Sequence, residues 1–157
     1  MLSAKDQIEV WKKVTSTSQL LDAVSNMNST DVREISALRK TWSAEEVRVA
    51  IELVRARKSA LGRLDHADSV VGDVEGVQQS SSSAVAKWKA NRFKDCAQIV
   101  DLCCGIGGDL LHLSDKATGV DIDPLRCWMA KQNTGKEVSC EDVREFRGVA
   151  NATILLD

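Results

Sequence analysis

The stretch IVDLCCGIGGD, residues 99 to 109, narrows the choice of fold more than any other part of this chain. A short β-branched run ends in a turn with glycines at 105, 107 and 108, and an amphipathic run, GGDLLHLSD, follows at once. Glycine tolerates positive φ and lets other atoms approach the main chain closely, so this is expected to be the first strand-to-helix bend of an α/β sheet. The alternation then repeats. ATGVDID reads as a second strand, and PLRCWMAKQN as a helix opened by Pro124, the one proline of the chain. KEVSC, a turn over DVREFRGV and a final strand ATILLD complete the pattern. Strands alternating with helices imply parallel βαβ units, so residues 95–157 are expected to form a Rossmann-like, doubly wound parallel sheet of about four strands with helices on both faces. An apolar strand at the very end of the sequence, reaching Asp157, adds the expectation that these 157 residues are the first part of a longer chain.

Residues 1–94 have a different grammar, with helical stripes separated by Ser, Thr and Asn. Ile8, Trp11 and Val14 form one stripe, and Leu20, Leu21, Val24 and Met27 another. Asp31 with Glu34 has capping-box spacing for a third helix containing Ile35 and Leu38. Ser43 with Glu46 has the same spacing for the clearest helix, whose stripe is Val47, Ala50, Ile51, Val54 and Leu61, with Gly62 as its stop. DHADSVVGDVEG, residues 65 to 76, reads as a turn-rich connector. The following QQSSSSAVAKWKANRF reads as a helix with its serines at the cap and Val85, Trp88 and Phe93 inward. The result is an N-terminal helical region ahead of the sheet.

Composition excludes several classes. No run of about 18 apolar residues is present, so no membrane-spanning helix is expected. MLSAKDQIEVWKK lacks the apolar region of a secretory signal, which makes the cytoplasm the default location. Net charge is −2, without the basic footprint of a free-standing nucleic-acid binder. Two basic groups, Arg55, Arg57, Lys58 and Arg63, then Lys87, Lys89, Arg92 and Lys94, read as solvated helix faces. The five cysteines include no C-x-x-C pair, so neither a zinc site nor a disulfide framework is expected; they read as small buried residues. His66 and His112 read as isolated side chains.

In such a sheet the ligand lies beyond the C-terminal strand ends, where the glycine turn and the N–H groups of the following helix would face it. A P-loop fails, because no Lys-Ser or Lys-Thr follows these glycines. A dinucleotide fingerprint also fails, because its third glycine position is Leu110. Asp101, four residues before Gly105, would repel a diphosphate and attract a cationic group such as an ammonium. Asp121, at the end of the second strand, is placed to accept from a ribose diol. A ligand with a ribose, an α-amino group and no phosphate fits both, and S-adenosylmethionine is such a ligand. The alternative is a non-catalytic interaction module that keeps the sheet without turnover.

DLCCGIGGD followed by GVDIDP resembles the first two motifs of class I S-adenosylmethionine-dependent methyltransferases. Together with the lead-in GVQQSSSSAVAKWKANRF, it is similar to the branch of trimethylguanosine cap synthases and bacterial THUMP-like-domain methyltransferases. The resemblance spans roughly residues 45 to 157. It implies transfer of a methyl group to nitrogen on an RNA nucleotide, with S-adenosylmethionine as cofactor and no metal. It assigns Asp101, Gly105, Gly107 and Gly108 to the methionine moiety and Asp121 to the ribose, and counts Cys103 among the cofactor-binding residues. It sets Ile122 against the adenine, and places Asp142 and Val143 at its amino edge. Asp157 falls where the acceptor-positioning [DN]-P-P motif of those families opens; its prolines are not in the sequence, and a piece lacking them is expected to show little turnover.

Overall fold

The computed structural model describes residues 2–27 and 32–156 of the chain. Asp157, the candidate catalytic residue, and Asp31, the candidate third cap, therefore lie outside the described residues. Helices α1 (Ala4–Thr15), α2 (Ser18–Asn26), α3 (Val32–Leu38), α4 (Ala44–Ala60), α5 (Val74–Gln79) and α6 (Ser83–Arg92) precede the first strand. Strands β1 (Ile99–Leu102), β2 (Ala117–Asp121), β3 (Val138–Cys140) and β4 (Thr153–Leu156) follow, with α7 (Pro124–Thr134) between β2 and β3. All strand pairs are parallel and the sheet order is β3-β2-β1-β4. This is an α/β, Rossmann-like sheet entered from an N-terminal helical region, as the alternation of strand and helix patterns requires.

The organising element of the helical region is α4. Ser43 accepts from the Glu46 main-chain N–H at 3.2 Å, and Glu46 accepts in return from Ser43 N–H at 2.7 Å, a complete capping box. Val47, Val49, Ala50, Leu53, Val54, Ala56 and Ala60 are buried, so α4 is enclosed on more than one side, against α1, α2 and α5. Leu61, expected in its stripe, is instead 61 % exposed: it is the C-cap, and Gly62 at φ +74 turns the chain away before the stripe can continue. Trp11 and Val14 of α1, and Leu20 and Val24 of α2, are buried in the same cluster, which extends to Ile106 and Met129. The helical layer and the sheet half thus share apolar contacts, and α7 touches β2 and β3 as well as α1.

Three side chains pin the segment between α4 and α6, which includes α5. Arg57 Nε donates to Val70 O at 3.2 Å, Glu52 accepts from Val74 N–H at 3.1 Å, and Arg63 donates to Ser80 O at 3.0 Å. Asn133 of α7 completes the joint. Its amide oxygen accepts from Val71 N–H at 2.8 Å, and its NH2 group donates to Val71 O at 2.8 Å and Ile106 O at 2.9 Å. One primary amide therefore holds the connector, the glycine turn and α7 together. In α6, Ser82 is the cap, accepting from Val85 N–H, and Ser83 and Ala86 face inward. Val85 and Trp88 do not: they are 47 % and 64 % exposed, because the small residues are the ones that fit against the body.

The run GGDLLHLSD is not an α-helix. It forms turns and a single 3-10 turn at Leu110–His112. Glycines at 107 and 108 and Ser114-Asp115 leave five residues between them, and a helix that short has little stability of its own and depends on packing. Lys136 instead satisfies the freed carbonyls, its Nζ donating to Leu110 O at 2.6 Å and Leu113 O at 2.9 Å. Burial pushes the Lys136 pKa below its ordinary value.

Leu53 is fully buried and Leu61 is not, so Leu53→Ala is expected to lower unfolding free energy by about 2–5 kcal/mol and Leu61→Ala by less than about 0.5 kcal/mol in urea titrations. Hydrogen bonds from Lys13 and Ser43 hold the Glu46 carboxyl at about 2, below its ordinary 4.5. A depressed folded value stabilises above the unfolded pKa, and that contribution is lost as pH falls through the folded one. Between about pH 5 and pH 2, Glu46→Gln is therefore expected to lose less stability than the parent chain, read as melting temperature against pH.

Candidate ligand-binding crevice

A crevice of about 490 Å³ opens beyond the C-terminal ends of β1 and β2, within the size range of small-molecule sites. Its floor is Asp101 to Ile106, its far side Asp121, Asp123 and Arg126, and its near wall the segment from Glu75 to Ser81. The site lies where β1 separates two chain directions in the sheet, with β2 on one side and β4 on the other, the position expected for ligands of open α/β sheets.

Asp121 builds the mouth. One carboxylate oxygen accepts from Gly105 N–H at 2.8 Å and the other from Asp123 N–H at 3.0 Å. The first bond folds the glycine turn back over β2, and the second sets the entry to α7, where Asp123 accepts from Leu125 N–H at 2.7 Å. Asp123 is thus the helix cap that its place before Pro124 suggests. Each Asp121 oxygen retains a free lone pair for a ligand hydroxyl. Asp101 is 3 % exposed, inside the central strand, and contributes to the crevice floor.

The three glycines do different work. Only Gly105, at φ +54, would place a Cβ in open space. A Cβ at Gly107 would come within 2.8 Å of Thr134, and one at Gly108 within 1.9 Å of Ser80 Oγ. Gly107 therefore serves the packing of the turn on α7 and does not line the crevice; Gly108 lines it and also admits Ser80. No α-helix begins here, so the row of N–H groups anticipated after the turn is not formed, and a phosphate finds no helix terminus.

Of the other sequence candidates, Cys103 lines the crevice with φ +60 and is exposed, whereas Cys104 is buried. Desolvation and the carboxylates of Asp121, Asp101 and Asp142 push the Cys103 thiol up, so it stays protonated. Cys140 is exposed too; only Cys104 and Cys127 are buried as the composition suggested. Ile122 is 63 % exposed and outside the crevice lining, as are Asp142 and Val143. Asp142 is occupied locally, accepting from Arg144 N–H at 2.9 Å and from its guanidinium, which holds the carboxyl at about 2. It also caps the turn to Phe146. The structure thus gathers Asp101, Cys103, Gly105, Gly108 and Asp121, and leaves Gly107, Ile122, Asp142 and Val143 outside.

Sequence reasoning missed the wall facing them. Arg126 pairs with Asp73 at 2.5 Å and reaches the exposed Glu75 at 4.0 Å, while Lys89 pairs with Asp109 at 3.0 Å; the Arg126–Asp73 and Lys89–Asp109 pairs are mostly buried. Asp109 is thus an ion-pair partner of α6. Nothing in the spacing of 73 and 126, or of 89 and 109, signals these pairs, because they form only when α5 and α6 fold against the sheet. His66 and His112 are likewise brought within each other's electrostatic range, and desolvation lowers the pKa of both.

The crevice lining carries the carboxylates of Glu75, Asp101, Asp109, Asp121 and Asp123 beside the guanidinium of Arg126, with the Lys89 ammonium paired to Asp109, which leaves an excess of acid. Such a field repels polyphosphates and favours cationic or zwitterionic ligands. Among the described residues no group of three or more His, Cys, Asp or Glu side chains could hold a metal ion, and no helix is long and apolar enough to cross a membrane. Compared with protein-family models, curated proteins and solved structures, the chain matches none.

Asp121→Asn replaces one acceptor with an NH2 group facing a main-chain N–H. It is expected to cost about 1–3 kcal/mol in chemical denaturation and to accelerate hydrogen exchange at the Gly105 amide. Unchanged exchange at Gly105 overturns that assignment.

Proposed function

We propose that this crevice binds S-adenosylmethionine and that the protein is a methyltransferase acting on a nitrogen of an RNA nucleotide. The observation that carries the reading is the acid-rich lining around a buried Asp101, beside one glycine, Gly105, whose main chain is open to a ligand. S-adenosylmethionine carries a sulfonium and an ammonium, one carboxylate and no phosphate, which suits that field better than a dinucleotide does.

In this reading Asp101 attracts the ammonium, and the open main chain at Gly105 admits the amino-acid end. Asp121 accepts from the ribose hydroxyls with the lone pairs left by Gly105 and Asp123 N–H. Ile122, exposed just beyond β2, offers an apolar surface for the adenine. Asp142 is already committed to Arg144, so an adenine contact there requires that pair to open. The cofactor, when bound, supplies an electrophilic methyl group; the chain's part is to hold donor and acceptor in line and to exclude water, which is where the rate of such a displacement comes from. The pairing of Lys89 with Asp109, and of Arg126 with Asp73, keeps cations in the wall from inviting phosphate.

Calorimetry of the chain with S-adenosylhomocysteine, S-adenosylmethionine and NAD tests the reading without requiring turnover. Both adenosyl ligands are expected to bind and NAD is not. Asp101→Asn is expected to weaken S-adenosylmethionine about 10- to 100-fold. NAD binding as tightly as S-adenosylhomocysteine, or heat from neither adenosyl ligand, overturns it.

A further inference from the structure

The face of α6 turned away from the body carries an indole that the fold leaves uncovered. Trp88 is 64 % exposed, and the Arg92 guanidinium sits 5.4 Å from its ring centroid, a cation–π pair one helical turn on. Val85, also exposed, adjoins them. The stretch 77–94 holds four cations, Lys87, Lys89, Arg92 and Lys94, and no acid, within a chain of net charge −2. Lys87 is engaged by Asp65, and Lys89 by Asp109. Arg92 and Lys94 have no ion pair among the described residues and are left to meet anions.

We propose that this face of α6, built on Trp88 and Arg92, is a docking surface for single-stranded RNA that leads a nucleotide toward the crevice. An exposed aromatic ring with a guanidinium beside it is the platform on which an unpaired base stacks while a phosphate is neutralised. The acidic net charge does not oppose this, because screening confines electrostatics to about 8–10 Å and the local segment is positive. The surface is also continuous with the site. At about 100° per residue, Lys89, Val85, Arg92 and Trp88 follow one another round the helix. Lys89 is the member anchored to crevice-lining Asp109. A strand stacked on Trp88 therefore has a path along one helix flank to the crevice rim. Two exposed apolar side chains on ten residues are too few for a membrane-embedded face or for the apolar centre of a protein interface.

The use of this surface, though not its existence, rests on the reading of the crevice as a methyl-donor site. The test is fluorescence anisotropy on the full chain with a labelled RNA of about 15 nucleotides, single-stranded or as a duplex. S-adenosylhomocysteine calorimetry is run on the same samples. The single strand is expected to bind better than the duplex. Trp88→Ala is expected to weaken it about tenfold and Trp88→Phe far less, because a ring is retained. Arg92→Glu is expected to lower the slope of log affinity against log salt by about 1. None of the three variants is expected to alter S-adenosylhomocysteine binding, since none touches the crevice. No RNA binding by the parent chain, or equal affinity in Trp88→Ala and Arg92→Glu, overturns the proposal. So does capture by anionic phospholipid vesicles that is lost in Trp88→Ala while RNA is ignored. RNA binding lost in the variants of a chain that never binds S-adenosylhomocysteine sinks the crevice reading and leaves the docking surface standing.

Discussion

The geometry of the crevice depends on the carboxylate of Asp121. Its two oxygens hold main-chain N–H groups from either side, Gly105 of the β1 turn and Asp123 at the start of α7. Its carbonyl accepts from Glu141 at the end of β3 at 3.0 Å. Three consecutive strand ends are thus tied to one residue that is itself nearly buried. A charged acceptor makes stronger bonds than a neutral one, and here it substitutes for the helix terminus that the short crossover after β1 cannot supply. The glycine turn is held in place by a side chain, not by secondary structure.

That substitution explains what could be read from the sequence and what could not. Sheet type was legible because period and composition carry it, whereas the order β3-β2-β1-β4 emerges only in the fold. IVDL, ATGVD and TILL are apolar runs of strand length, and Pro124 after Asp123 marks a helix start unambiguously. Ser43 with Glu46 was legible for the same reason, a local bond pattern at fixed spacing. The helix expected over GGDLLHLSD was not formed, because periodicity counts apolar positions and ignores how few residues remain between breakers. Val85 and Trp88 were misplaced by a similar route. Apolar character suggested burial, whereas the tight approach of α6 selects Ser83 and Ala86 for the inner face.

Within the site, Asp101 and Asp121 could be placed in advance because each ends or occupies a strand whose direction the pattern fixes. The opposing wall could not. Asp73 with Arg126, and Lys89 with Asp109, are contacts between elements remote in sequence, and each residue taken alone reads as a cap or a surface charge. Asp142 shows the converse: its place after β3 suggested a ligand, but Arg144 two residues on satisfies it locally. In the fold, acids gather along the crevice, and Arg92 on the outer face of α6 stands beside an exposed indole.

The amide of Asn133 has a mechanical consequence. Val71 leads into one jaw of the crevice and Ile106 belongs to the other, and the same NH2 group donates to both carbonyls. Spreading the jaws means giving up at least one of these bonds in a place with little water to replace it. The aperture is therefore set from behind, by a rivet in place of a hinge.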